Sequence, residues 1–178
     1  MSLLKERIET AIANGNTPDL GRYLNRTLDP AIISEVAEAI ANAFQGENVT
    51  RVLTAEPAGI AIAYKVAELL SAKAVFARKR EETACYEAVV NSKTNTTLRL
   101  PRKYLTAGDS VLIVDDVLAM GGIAQALIEI TRQSEANLVG VGVAIEKSYL
   151  ATADKLRARG IAVYSLVKVL TEDEKTLA

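Results

Sequence analysis

Between Val111 and Ala124 the chain reads Val-Leu-Ile-Val-Asp-Asp-Val-Leu-Ala-Met-Gly-Gly-Ile-Ala, and this stretch restricts the possible fold more than any other. Val111 to Val114 are apolar, mostly β-branched and without polar alternation, a run too short for a helix and suited to a buried parallel strand. The strand is expected to end on Asp115 and Asp116. Gly121 and Gly122 then open a segment with Ala124, Leu127, Ile128 and Thr131 at the spacing of one buried helical face. In open parallel sheets ligands sit at the carboxyl ends of strands, and the free amides of a helix N-terminus suit a phosphate. Adjacent carboxylates repel a phosphate, but they suit sugar hydroxyls or a hydrated Mg²⁺. The unit therefore asks for a ligand that carries a phosphate, a diol and a metal.

Other stretches extend the same βα alternation. Leu4, Ile8, Ala11 and Ile12 mark a short helix over Leu3 to Ala13 with Gly15 beyond it. Residues 20–28 are mixed, a strand or an irregular cover. Asp29-Pro30 starts a helix whose stripe Ile33, Val36, Ala37, Ile40, Ala41, Phe44 runs to Gly46. Val49 to Ala55 reads as a strand, Ile60 to Leu70 as a helix, and Lys73 to Arg78 as another strand. Residues 78–107 begin basic, alternate, and are rich in Thr, Ser and Asn, which predicts an antiparallel excursion with a mobile tip. Ala136 to Ile145 is a buried strand leading into Glu146-Lys147-Ser148-Tyr149, Ala151 to Arg159 a short helix, and Ile161 to Leu170 a last strand. The tail Thr171 to Ala178 is expected to fray. The pattern predicts an α/β fold, a doubly wound, mostly parallel sheet with helices on both faces and right-handed crossovers.

With 178 residues the chain is about one domain, large enough for its own core. Hydrophobic residues make up 49% and aromatics 4%, so that core must be aliphatic. The absence of histidine removes serine–histidine triads and histidine metal sites, and leaves oxygen as the donor for any metal. One cysteine, Cys85, excludes an internal disulfide, and a net charge of −1 proposes no nucleic-acid surface. The N-terminus lacks an apolar run with a cleavage site, and no stretch approaches about 18 apolar residues. A soluble, cytoplasmic protein is expected.

The central stretch resembles the phosphoribosyl-pyrophosphate (PRPP) signature of type I phosphoribosyltransferases: hydrophobics, Asp-Asp, a short spacer, then Thr-Gly-Gly-Thr. Met120 and Ile123 stand where that family usually has threonines. Tyr23-Leu24-Asn25, Leu28-Asp29-Pro30, residues 54–61, residues 76–80, Ser92-Lys93 and residues 140–149 resemble its xanthine branch in one register over nearly the whole chain.

The resemblance implies a single domain over 1–178, with an N-terminal hood over 1–28 and a flexible lid over 79–107. It implies transfer of phosphoribose from PRPP to N9 of a 6-oxopurine. Asp115 and Asp116 would bind the ribose diol, and the backbone nest Ala119, Met120, Gly121, Gly122, Ile123, Ala124 the 5′-phosphate. Glu56, Pro57, Ala58 and Gly59 would hold pyrophosphate, with a cis peptide expected at Glu56-Pro57. Arg78 and Lys93 would meet the leaving group. Asn25, Lys147 and Tyr149 match purine-recognising positions, and Pro18 and Leu20 fall in the loop that covers the base. A lysine ammonium donates but cannot accept, so Lys147 favours a 6-oxo over a 6-amino purine. Mg²⁺ would arrive with PRPP, without direct protein ligands or bridged through water to Asp115 and Asp116. A homodimer is implied, with no nucleic acid and no membrane as partner. Two other readings stay open: an adenine phosphoribosyltransferase, and a PRPP- or purine-sensing regulator, the latter suggested by the missing threonines.

Overall fold

The structure is a computed structural model that describes residues 2–14, 24, 26–91, 93–94, 96–173 and 175–178. Its helices are α1 (Leu3–Ala13), α2 (Pro30–Ala43), α3 (Ile60–Leu69), α4 (Gly122–Gln133) and α5 (Thr152–Ala158). Its strands are β1 (Arg51–Ala55), β2 (Lys73–Ala77), β3 (Cys85–Asn91), β4 (Thr96–Pro101), β5 (Ser110–Leu118), β6 (Asn137–Lys147) and β7 (Val163–Val169). Five strands form one parallel sheet in the order β2-β1-β5-β6-β7, and β3 pairs antiparallel with β4 as a separate hairpin. The order reverses between β1 and β5. That is the switch point where the two halves of such a sheet diverge and leave a crevice at the strand ends.

Alternation along β5 explains the two layers. Leu112 and Val114 belong to the core with α1, α2 and α3, whereas Val111 and Ile113 belong to the core with α4, α5 and the hairpin. Both faces are covered, so the strand carries apolar residues at every position from Val111 to Val114. Asp29 caps α2 by accepting from the Ala31 amide at 2.9 Å, with Pro30 in the first turn. Glu35 of α2 accepts from the Leu3 and Leu4 amides at 2.8 and 3.1 Å, which seats α1 on α2. At the amino ends of β1 and β5, Asp109 accepts from Thr50 Oγ1, Thr106 N and Thr106 Oγ1 and pairs with Arg51. Burial raises the Asp109 pKa, but these bonds outweigh it and hold the carboxyl below its ordinary range.

Two expectations change, and one gains detail. β5 does not end on the acidic pair but continues to Leu118, because its pairing with β6 persists to Leu118↔Glu146. The excursion is antiparallel as expected, and its base is seated: Tyr86, Ala88, Leu98 and Leu100 are buried in the α4-side core, and Gln133 of α4 bonds the Glu87 backbone. The tail does not fray at its end. Lys168 exchanges backbone bonds with Ala178, Val169 bridges Leu177, and Leu177 packs on the core, so the chain end covers the outer edge of β7.

Candidate active site

The carboxyl ends of β1 and β5 gather the central chemistry. Asp115 is 7% exposed and lines a cavity of about 280 Å³ together with Ala119, Met120, Gly121, Gly122, Ile123 and Ala124. Val90 and Asn91 of the hairpin close its outer side. The cavity thus joins one acidic side chain to the whole backbone stretch from 119 to 124. Burial, and then the charge of Asp116, push the Asp115 pKa well above the ordinary carboxylate value. The Asp116 amide donates to Asp115 Oδ1 at 3.0 Å, and the Val117 amide to Asp116 Oδ1 at 2.8 Å.

Gly121 has φ +81° and starts α4 with no side-chain cap. The left-handed backbone suits glycine, and it turns the uncapped first amides of the helix toward the strand end, where an anion can accept from them. A Cβ on Gly122 would lie 2.8 Å from the Val90 carbonyl oxygen, so glycine is what lets the hairpin backbone close over this loop. Met120 is 79% exposed and Ile123 packs partly against the α4-side core; neither offers a hydroxyl. Any anion donors in this loop are therefore backbone amides.

On the β1 side, Glu56 to Gly59 form the turn into α3, and the Glu56-Pro57 peptide is cis. Gly59 has an ordinary right-handed backbone, yet its missing side chain matters: a Cβ would meet Thr54 Oγ1 at 2.0 Å, Asp115 Oδ1 at 3.1 Å and the Val114 carbonyl at 3.2 Å. This turn therefore packs close against Asp115. Arg78 pairs with Glu56 at 3.4 Å and approaches Glu82 at 3.9 Å, while its backbone exchanges two hydrogen bonds with Arg99. Arg78 faces a separate cavity of about 930 Å³ along β2 that also takes in Phe76, Arg102 and Tyr104. Lys93 is exposed, in a turn where Asn91 Oδ1 accepts its amide at 2.9 Å, and it does not line the acidic cavity.

Lys147 closes β6, and Tyr149 lies in the 3₁₀ turn Ser148–Leu150 that follows. Tyr149 is partly buried against the core of α1, α2 and Leu24. Asn25, Pro18, Leu20 and Ser92 lie outside the described residues. Residues not singled out from the sequence also shape the site: Thr54 behind Gly59, Val90 and Asn91 over the loop, Thr152 against Gly121, and Glu146 beside Lys147. No local pattern marks them, because each acts through a contact with a distant element.

Among the described residues no group of three or more His, Cys, Asp or Glu could hold a metal by itself. The oxygen donors of Asp115 and Asp116 fit a hard divalent ion that brings most of its own ligands. No helix among the described residues is long and apolar enough to cross a membrane.

A phosphoribosyl transferase domain matches residues 25–164. Over 186 residues the chain is 37% identical to the xanthine phosphoribosyltransferase of Alkaliphilus metalliredigens, covering 99% of this chain and 92% of that protein. The adenine phosphoribosyltransferase of Rhodothermus marinus superposes with a TM-score of 0.69 at 26% identity, covering 79% of this chain and 81% of that one. The adenine phosphoribosyltransferase of Trypanosoma brucei does so with a TM-score of 0.73 at 18% identity, covering 97% and 84%; at that identity the likeness speaks for the fold.

Proposed function

The chain belongs to the phosphoribosyltransferase family, and from that premise we propose that it converts PRPP and a 6-oxopurine, xanthine first, to the purine nucleoside 5′-monophosphate and pyrophosphate. The observation that carries this reading is the single cavity in which a buried carboxylate and an uncapped glycine loop face each other at the switch point. The bond from C1′ to the pyrophosphate oxygen breaks, the bond from C1′ to N9 forms, and N9 gives up its proton to the departing pyrophosphate or solvent.

Positive charge develops on the sugar as pyrophosphate departs, so the protein's work is positioning, charge placement and exclusion of water. The amides from Ala119 to Ala124 hold the 5′-phosphate, and Asp115 and Asp116 take the ribose hydroxyls. The Glu56–Gly59 turn holds the leaving group, with Arg78 and Lys93 as its cations. Asp115 and Asp116 would hold a hydrated Mg²⁺ through water, and the ion would supply charge neutralisation for the leaving pyrophosphate. Lys147 donates to the purine 6-oxo group, Asn25 serves an oxo group or a ring N–H, Tyr149 stacks on the base, and Pro18 and Leu20 belong to the loop that covers it. The whole chain acts as one domain, with 1–28 as hood and 79–107 as lid, in a homodimer.

Support for xanthine over adenine comes from the full-length relative and from Lys147, whose ammonium has nothing to accept a 6-amino hydrogen. The test is pyrophosphate release from PRPP and Mg²⁺ with xanthine, guanine, hypoxanthine and adenine in turn. Fastest release with xanthine is expected. A preference for adenine would overturn the base assignment, and release with no base despite PRPP binding would favour a sensor.

A further inference from the structure

Glu146 stands one residue before Lys147, is 2% exposed, and is bound on every side. Its carboxylate accepts from Ser148 Oγ at 2.7 Å, Ser165 Oγ at 2.7 Å, and Arg157 Nη2 and Nη1 at 2.8 and 3.4 Å. Arg157 in turn bonds Asp154 Oδ1 at 3.0 Å and the Val163 carbonyl at 3.4 Å. One carboxylate thus joins β6, β7, α5 and the 3₁₀ turn. A buried ion pair alone would serve to dock α5 on the sheet. The Ser148 bond does something else: it spans Lys147 and fastens the turn to the strand that precedes it.

Two further features confine the same segment. Ala151, which ends the turn, has a left-handed backbone at φ 54°, costly for a residue with a Cβ and kept only where its surroundings determine it. Thr152, the next residue, fills the space in which Gly121 would carry a Cβ, its Cγ2 lying 2.5 Å from that point. The segment from 146 to 152 is therefore held at Glu146 and rests on the phosphate loop at its far end. Successive strand residues leave opposite faces of the sheet, so Glu146 reaches α5 while Lys147 leaves on the other face.

We propose that Glu146, with Ser148, Arg157 and Ser165, is a positioning assembly for base recognition: it holds the 147–150 turn so that Lys147 and Tyr149 meet the purine. This rests on the assignment of Lys147 to the base, and the experiment separates the two. Steady-state constants for xanthine and for PRPP, with melting temperatures, are measured for Glu146→Gln, Ser148→Ala, Ser148→Thr and Lys147→Ala. Ser148→Ala keeps the Arg157 pair and so keeps the fold even where Glu146→Gln does not. The expected result is a rise of about ten- to a hundredfold in the xanthine KM for both Ser148→Ala and Glu146→Gln, in line with losing a charge-assisted hydrogen bond. The PRPP KM stays within about twofold, and Ser148→Thr, which keeps the hydroxyl, restores the xanthine KM. If Lys147→Ala raises the xanthine KM but the Ser148 and Glu146 variants do not, or if both substrates weaken together, the positioning role is overturned and the assembly is structural. An unchanged xanthine KM in Lys147→Ala overturns the base assignment and this proposal with it.

Discussion

Gly59→Ala tests whether the close approach between the α3 turn and the acidic strand is real. Gly59 sits in right-handed backbone, so alanine costs nothing in φ and would stabilise by about 0.4–1 kcal/mol through the unfolded chain were there room. There is none: the new Cβ would stand 2.0 Å from Thr54 Oγ1, with Asp115 Oδ1 and the Val114 carbonyl at 3.1 and 3.2 Å. The Val114 carbonyl is backbone of the central strand, and Asp115 Oδ1 is held by the Asp116 amide. Relief must come from Thr54, which is 1% exposed and β-branched, or from displacing α3. Overpacking of this kind costs about 1–3 kcal/mol, so the net loss is about 1 kcal/mol, or roughly 2–4 °C in Tm at this chain length.

Thr54 Oγ1 is itself buried without a hydrogen-bond partner, a burden of about 1–3 kcal/mol that offsets the methyl burial lost in Thr54→Ala. That single variant should lie within about 1 kcal/mol of the parent, and the double variant should recover most of the Gly59→Ala loss. The cycle is read by urea unfolding of the ligand-free protein, where binding does not add to stability. A Gly59→Ala protein as stable as the parent would refute the crowding. A loss that Thr54→Ala does not relieve would refute Thr54 as its source.

Asp115→Asn should lower turnover by about a hundredfold or more, while raising stability at neutral pH. The native state holds the Asp115 proton more tightly than the unfolded chain, so that stabilisation is full below the ordinary carboxylate value of 3.8 and is lost as pH rises through the raised native value. Asparagine removes the late loss, and the two Tm curves should converge in acid. A variant less stable than the parent at pH 7 would contradict it. For Glu146 the sign is opposite: burial raises its pKa, but bonds from Arg157, Ser148 and Ser165 outweigh this and hold it below 4.5. Its contribution is present above that value and lost as pH falls through the native one, so a folded Glu146→Gln protein should show a flatter acid limb in Tm. Gly122→Ala, whose Cβ would meet the Val90 carbonyl at 2.8 Å, should raise the PRPP KM about tenfold or more and leave the purine KM within about twofold. Equal losses for both substrates would count against the phosphate assignment.

Residue order along the chain settles much of this protein without reference to anything distant. The apolar run Val111 to Val114 makes a strand buried on both faces, Asp29-Pro30 starts α2, and Gly121-Gly122 bends the chain into α4 with open amides. Each follows from period, cap or turn chemistry carried by neighbours in sequence, which is why the sheet, the acidic pair and the glycine turn into α4 are legible from it. The acidic pair's place inside β5 was not, because the strand's length depends on how far β6 pairs with it. Nor was the docking of the hairpin on α4, the return of the chain end to β7, or the contact of Thr54 and Gly59 with Asp115. Glu146 reads in sequence as one more charged residue beside a lysine; only the β6–β7 register and the seat of α5 bring Ser165 and Arg157 to it. Local pattern decides what each segment can be. Strand order and register decide which buried polar groups find partners, and so the tertiary structure sets what holds the candidate site in place.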